Sequence, residues 1–296
     1  MAASIRNGHL ALSVKSKGAE LSSIRTVRDG FEYLWQGDPA YWAGQSPVFF
    51  PIIGRLENSA YALGDEMFQM GVHGFARDNE FELVQQEEHL LCWRLAENES
   101  TLRSYPFRFE LRVCYRLEEN GIRVEYVVRN SDARTLWFSI GGHPGFTCPF
   151  GTDGTMEDYV LEFERPEKVS RRIVQDGFLS PRPEPFLDNE NVIHLSKDLF
   201  KRLAIVLTGV TSRYVTLKSP KSRRSVTVHF EGFPYLAFWS PPAGGPLVCI
   251  EPWQGVLPTK GVGRELKERE GINALDPGRE ARSSFTITIG GETDPP

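Results

Sequence analysis

His143 stands in Gly141-Gly142-His143-Pro144-Gly145-Phe146, flanked by small residues that allow tight backbone turns. Two further segments carry groups suited to partner it. They are His73-Gly74-Phe75-Ala76-Arg77 and Glu251-Pro252-Trp253-Gln254-Gly255. Two imidazoles and a carboxylate are the side chains that move protons near neutral pH. The adjacent aromatics offer flat faces to a ligand ring. The six histidines show no H-x-H or H-x-x-x-H spacing, so no metal site is expected. Proton transfer of this kind needs no cofactor, and none is expected.

The elements that must position these groups are mostly strands. His9 to Val14 alternates behind an Asn7-Gly8 turn, so Ser4 to Val14 reads as a hairpin. The clearest hairpin joins Glu110–Leu117 to Ile122–Arg129 through Glu118-Glu119-Asn120-Gly121, with apolar Leu111, Val113, Tyr115, Leu117, Ile122, Val124, Tyr126 and Val128 at period two. Further strands are expected at 137–140, 159–163, 204–207, 214–217, 225–230, 235–239, 247–250 and 284–289. Glu251 is thereby placed at a strand end. Helical signals are limited to one turn at Asp198–Lys201 and a short charged helix over Arg264–Glu270 closed by Gly271. No long amphipathic helix supplies a crossover, so a parallel sheet is not expected. The reading is an all-β chain, one large antiparallel β-sandwich over residues 1–296. A division near Phe150–Gly154 would separate His143 from Glu251.

The chain has 296 residues, 40% of them hydrophobic, with a formal net charge of -5. That suffices for a large core and gives no basic face for nucleic acid. The basic cluster Lys218, Lys221, Arg223 and Arg224 lies around a Ser-Pro turn and reads as a solvated hairpin tip. Cys92, Cys114, Cys148 and Cys249 form no C-x-x-C pair, and are expected to be reduced thiols of a cytoplasmic protein. The first residues lack the apolar core of a signal peptide, and no run of about 18 apolar residues suggests a membrane partner.

The same segments resemble the aldose 1-epimerase (galactose mutarotase-like) family, in particular its bacterial branch with H-G-F-A-R, G-G-H-P and E-P-W. The resemblance runs in order through Gly18–Leu21, Pro51–Leu56, His73–Arg77, Tyr105–Phe107, Gly141–Phe146, Phe233–Tyr235, Cys249–Gly255 and Lys267–Ile272. It implies a twisted β-sandwich supersandwich with a groove across one sheet, a small-molecule sugar as partner, and a monomer or homodimer. It also implies interconversion of the α and β anomers of a free hexose. His143 would be the general acid, Glu251 the general base and His73 a ligand for a sugar oxygen. Trp239 and Trp253 are either core residues or aromatic faces set against sugar C–H groups. Galactose-specific members carry an Asp-His pair between the second His and the final Glu, and this chain has none. H-G-F-A-R also occurs in the hexose-6-phosphate branch, where arginines hold the phosphate; Arg55 and Arg77 are the residues in question here. The alternatives are thus a phosphorylated hexose, a non-catalytic sugar-binding or sensing module, and a glycosidase, which would need two facing carboxylates. If Glu251 is beside His143, its charge should raise the imidazole pKa and let it begin as the acid.

Overall fold

The computed structural model describes residues 1–202 and 204–291. Antiparallel strands dominate them. A 16-stranded sheet forms the body, accompanied by a three-stranded sheet and two two-stranded ones. The alternating segments pair as their period demands. Phe109–Glu118 and Gly121–Asn130 form a ten-residue hairpin in continuous register. Phe109, Leu111, Val113, Tyr115 and Leu117 enter the core, while Glu110, Arg112 and Arg116 face outward. Ala2–Arg6 and Leu10–Lys15 form the expected first hairpin.

Several expectations are corrected. Asp198–Lys201 is a turn, and only Leu266–Glu268 of the second helical segment is helical, as a single 3₁₀ turn. The one α-helix among the described residues, Glu99–Ser104, starts at a capping box: the Asn98 side chain accepts from the Thr101 N–H, and the Thr101 hydroxyl accepts from the Asn98 N–H. Two of the four cysteines are not free thiols. Cys92 and Cys114 face each other across paired strands and are joined as a disulfide, while Cys148 and Cys249 are free and buried. Register brings the pair together across 22 residues, which spacing along the chain does not show. The basic cluster does surround a hairpin tip, but Arg224 is only partly solvated. Its guanidinium lies 4.1 Å from the Phe31 ring centroid and bonds Asp29 at 2.6 Å.

One half of the large sheet positions the site. Its neighbouring strands are Val48–Phe49, Ile140–Gly142, Leu247–Gln254, Tyr235–Trp239, Ile205–Thr208 and Val160–Gln175. The period of two divides their side chains cleanly. Val48, Ile140, Val248, Ile250, Leu236, Phe238, Ile205 and Leu207 point into the main core. Phe49, Trp253, Ala237, Val206 and Val174 face the other way, into a second apolar cluster, and Leu247 and Cys249 into a third. This second face is the floor of a pocket. No helix among the described residues is long and apolar enough to cross a membrane.

Candidate functional site

Glu251 is in the middle of its strand, not at its end: Leu247–Gln254 continues through Pro252 to Gln254. Its neighbours on the same strand face are Cys249 and Trp253, and its partner across the ladder is Ala237, between Tyr235 and Trp239. A carboxylate is therefore planted in an apolar sheet face, only 1% exposed. Neither of its oxygens has a hydrogen-bond partner of good geometry among the described residues. Burial pushes its pKa well above the usual carboxylate range. The Trp253 indole N–H is close enough to oppose that rise, although outside hydrogen-bond geometry.

His143 reaches Glu251 from the turn after Ile140–Gly142. Its backbone N–H donates to the Pro47 carbonyl at 3.1 Å, and the Gly145 N–H donates to the Gln45 carbonyl at 2.9 Å. The turn is thus stitched to the segment 45–47. The imidazole Nε2 lies 3.4 Å from Glu251 Oε1. Three aromatic rings enclose it: Trp42 stacks on it with centroids 4.7 Å apart, and Phe49 and Trp239 meet it edge-on at 5.4 and 5.5 Å. This apolar box reverses the expected pKa direction. Desolvation lowers His143 to about 3, with the His143 backbone opposing that shift and Arg77 adding to it. Burial penalises both charged forms, which favours a state in which the pair holds one proton between them. One member is then a donor and the other an acceptor.

His73 approaches from the opposite wall. Its ring stacks on Phe49 at 3.7 Å, 13° from parallel. Its backbone N–H donates to the Gly54 carbonyl at 2.7 Å, and its Nδ1 accepts from the Gly54 N–H at 3.1 Å. The ring proton therefore sits on Nε2. Burial, reinforced by His143 and Arg77, keeps the ring uncharged, its pKa well below the usual imidazole value. Gly74 is what allows this turn: its φ is +77°, and a Cβ there would lie 2.1 Å from the Phe50 carbonyl oxygen.

All seven residues singled out from the sequence, Arg55, His73, Arg77, His143, Trp239, Glu251 and Trp253, line one pocket of about 270 Å³. That volume is near the small end of the ~300–1,000 Å³ typical of small-molecule sites. Arg55 is exposed at its rim and has no carboxylate partner among the described residues. Arg77 is half-buried, with Asp78 at 3.7 Å. Sequence reasoning missed Trp42 and Phe49, which also line the pocket and pack the two imidazoles. Trp42 sits in an irregular loop whose path no periodicity reveals. Phe49 was detectable as the outward member of the Phe49-Phe50 pair.

His143, Cys249 and Glu251 also place donor atoms within 4.8 Å of one another, a set capable of holding a metal ion. Histidine spacing could not disclose it, because a strand face contributes two of the three. Burial raises the Cys249 thiol pKa, and the nearby Glu251 raises it further. A metal would have to displace the thiol proton as well as the proton of the pair. The arrangement suits a proton relay beside a neutral thiol better. Chemically, the site can give a proton to one oxygen of a ligand, take one from another, and donate from His73.

The architecture is that of a large antiparallel β protein with a pocket on one sheet face, and comparison with known proteins gives its family. The chain belongs to the aldose 1-epimerase family, whose description, Aldose 1-epimerase, matches residues 1–266. It is 37% identical to the chromosomal protein LacX of Lactococcus lactis subsp. lactis, over 98% of this chain and 99% of that protein. Among solved structures it resembles the galactose mutarotase related enzyme of Lactobacillus acidophilus, with a TM-score of 0.95, 32% identity and 99% of each chain covered. A galactose mutarotase-like protein of Lactobacillus casei follows at a TM-score of 0.92 and 28% identity, covering 98% of this chain and 100% of that one.

Proposed function

We propose that this protein is an aldose 1-epimerase that interconverts the anomers of a free hexose by opening and reclosing the ring. The observation that carries the reading is the pair itself: Nε2 of His143 3.4 Å from a buried Glu251 carboxylate that has no hydrogen-bond partner of good geometry among the described residues. A buried, unsatisfied carboxylate costs stability, and sites keep such groups for chemistry.

Sugar hydroxyls donating to Glu251 supply the hydrogen bonds that burial has removed. That favours the carboxylate and moves the shared proton onto His143. Glu251 then takes the O1 proton while His143 delivers one to O5. The C1–O5 bond breaks, leaving an open-chain aldehyde with no change in oxidation state. Rotation about C1–C2 presents the other carbonyl face, and ring closure returns both protons with the roles exchanged. His73 donates from Nε2–H to a sugar oxygen. Trp42 and Trp239 offer aromatic surface to sugar C–H groups, while Trp253, 2% exposed, packs in the apolar floor beneath them. A purely sugar-binding role would have no use for the unsatisfied acid–base pair.

The pKa directions fix a pH dependence. The pair works while it holds one proton. A second proton reaches His143 only near pH 3. kcat/KM, corrected for the uncatalysed reaction, should therefore stay level as pH falls from 8 to 5, where an ordinary imidazole base would be lost at about 6.5. An acid limb with a midpoint between 6 and 7 would contradict the assignment.

A second reading, a phosphorylated hexose, is favoured by Arg55 and Arg77 in the same pocket wall, Arg55 without a carboxylate partner among the described residues. Polarimetry on α-glucose, α-galactose and glucose 6-phosphate separates the readings. The neutral-sugar account expects faster decay of rotation with a neutral hexose, and an Arg55→Gln variant within a few-fold of wild type. Turnover confined to the phosphate ester, and lost in Arg55→Gln, would replace it.

A further inference from the structure

We propose that Arg269 is a positioning residue for His73, acting through the single peptide unit that joins Ile53 to Gly54. This rests on the reading above only in that His73 is taken to donate to a substrate oxygen.

Arg269 is a buried cation. It is 6% exposed, and no carboxylate forms an ion pair with it among the described residues. Its Nη1 has no hydrogen-bond partner among the described residues, and its Nη2 donates to the Ile53 carbonyl at 3.3 Å. Burying an unpaired guanidinium is expensive, and even here burial brings its pKa down only to about 10, so it stays charged at neutral pH. Core packing alone would be served better by an apolar side chain.

The carbonyl it touches and the N–H that holds His73 belong to the same amide. The Gly54 N–H donates to His73 Nδ1 at 3.1 Å. Electron density in a peptide unit is delocalised from nitrogen toward oxygen. A cation at the oxygen strengthens that shift and makes the N–H a better donor, as in any polarised hydrogen-bond chain. The stronger donor holds the proton of His73 on Nε2, the ring edge left for the ligand. The Gly54 carbonyl accepts from the His73 backbone N–H at 2.7 Å, and Phe49 fixes the ring plane. One loop residue thus grips His73 by backbone and ring, and Arg269 sets the polarity of the grip. The other charged or titratable groups acting on His73 are His143 and Arg77. Neither touches this peptide unit in any hydrogen bond among the described residues.

The test is nitrogen-15 NMR of the histidine rings in the intact, ligand-free protein, with the Gly54 amide proton as a second reporter. Wild type should show His73 as the Nε2–H tautomer and a strongly downfield Gly54 amide proton. In Arg269→Gln, which keeps a donor but not the charge, the two ring nitrogens should shift toward each other and the Gly54 amide should move upfield. kcat should fall about tenfold to a hundredfold. Arg269→Lys should recover most of each change. Unaltered ring and amide signals in Arg269→Gln overturn the proposal, even if activity falls. Should that variant not fold, Arg269→Met is read the same way, unaltered ring and amide signals again overturning the proposal, as would an Nδ1–H tautomer at His73 in wild type. These signals do not depend on turnover, so an inactive protein with the expected spectrum would reject the function and keep the relay.

Discussion

Glu251→Gln should lower kcat for anomer exchange by roughly 10²–10⁴-fold, the usual worth of one positioned acid–base group, and leave the fold intact. The amide has nearly the same shape and the carboxyl makes no hydrogen bond of good geometry for it to break. It cannot exchange a proton, so the relay with His143, 3.4 Å away, stops. The same substitution should change stability in a direction set by linkage. The carboxyl pKa is raised in the folded state. Its contribution is therefore fully present below the unfolded value of about 4.3, and is lost as pH rises toward the folded one. In that window the unfolded chain gives up the proton while the folded one keeps it, at about 1.4 kcal/mol per pH unit. Urea denaturation of both proteins at pH 5, 6 and 7 should show Glu251→Gln gaining stability relative to wild type as pH rises. A variant that loses stability relative to wild type over that range would mean that the folded protein favours the ionised carboxylate.

Gly74→Ala should be the most damaging small substitution near the site, costing roughly 2–6 kcal/mol from backbone strain and overpacking together. Its φ is +77°, and the added Cβ would stand 2.1 Å from the Phe50 carbonyl oxygen. That oxygen is fixed, since it accepts from the backbone N–H groups of both Phe75 and Ala76. Relief must come from moving the 71–76 turn, and His73 moves with it. Gly64→Ala is the matched control. Its φ is +61° and nothing lies within 4 Å of the added Cβ, so only the strain of a left-handed residue remains, about 1–2 kcal/mol. Equal losses in the two variants would show that the Phe50 contact is not limiting.

The contrast between what was legible and what was not follows from which forces act along the chain and which act across it. Alternation is local, so the Phe109–Asn130 hairpin can be read directly from residue order, and Tyr235–Trp239 reads as a short continuous apolar run. The segments that meet in the pocket were also legible, because Gly and Pro mark their turns and aromatics flank them. Pro252 hid the true extent of its strand: lacking an N–H it suggests an end, yet it pairs with Leu236 inside the sheet. The Asn98-x-x-Thr101 cap was readable and overlooked, because the helix it starts has only six residues. The pairing of Cys92 with Cys114 is a matter of register. The His143 pKa depends on the Trp42, Phe49 and Trp239 rings, all three of which arrive from distant segments. Proximity to Glu251 suggested a raised value, but desolvation of both groups prevailed.

The central claim is that His143 and Glu251 together catalyse anomer exchange. Its most direct test is polarimetry of freshly dissolved α-hexose, in a buffer that is itself a poor acid–base catalyst, with wild type, His143→Asn and Glu251→Gln side by side. The account predicts accelerated decay of rotation with wild type and at least a hundredfold loss in each folded variant. Full activity in either folded variant would contradict it.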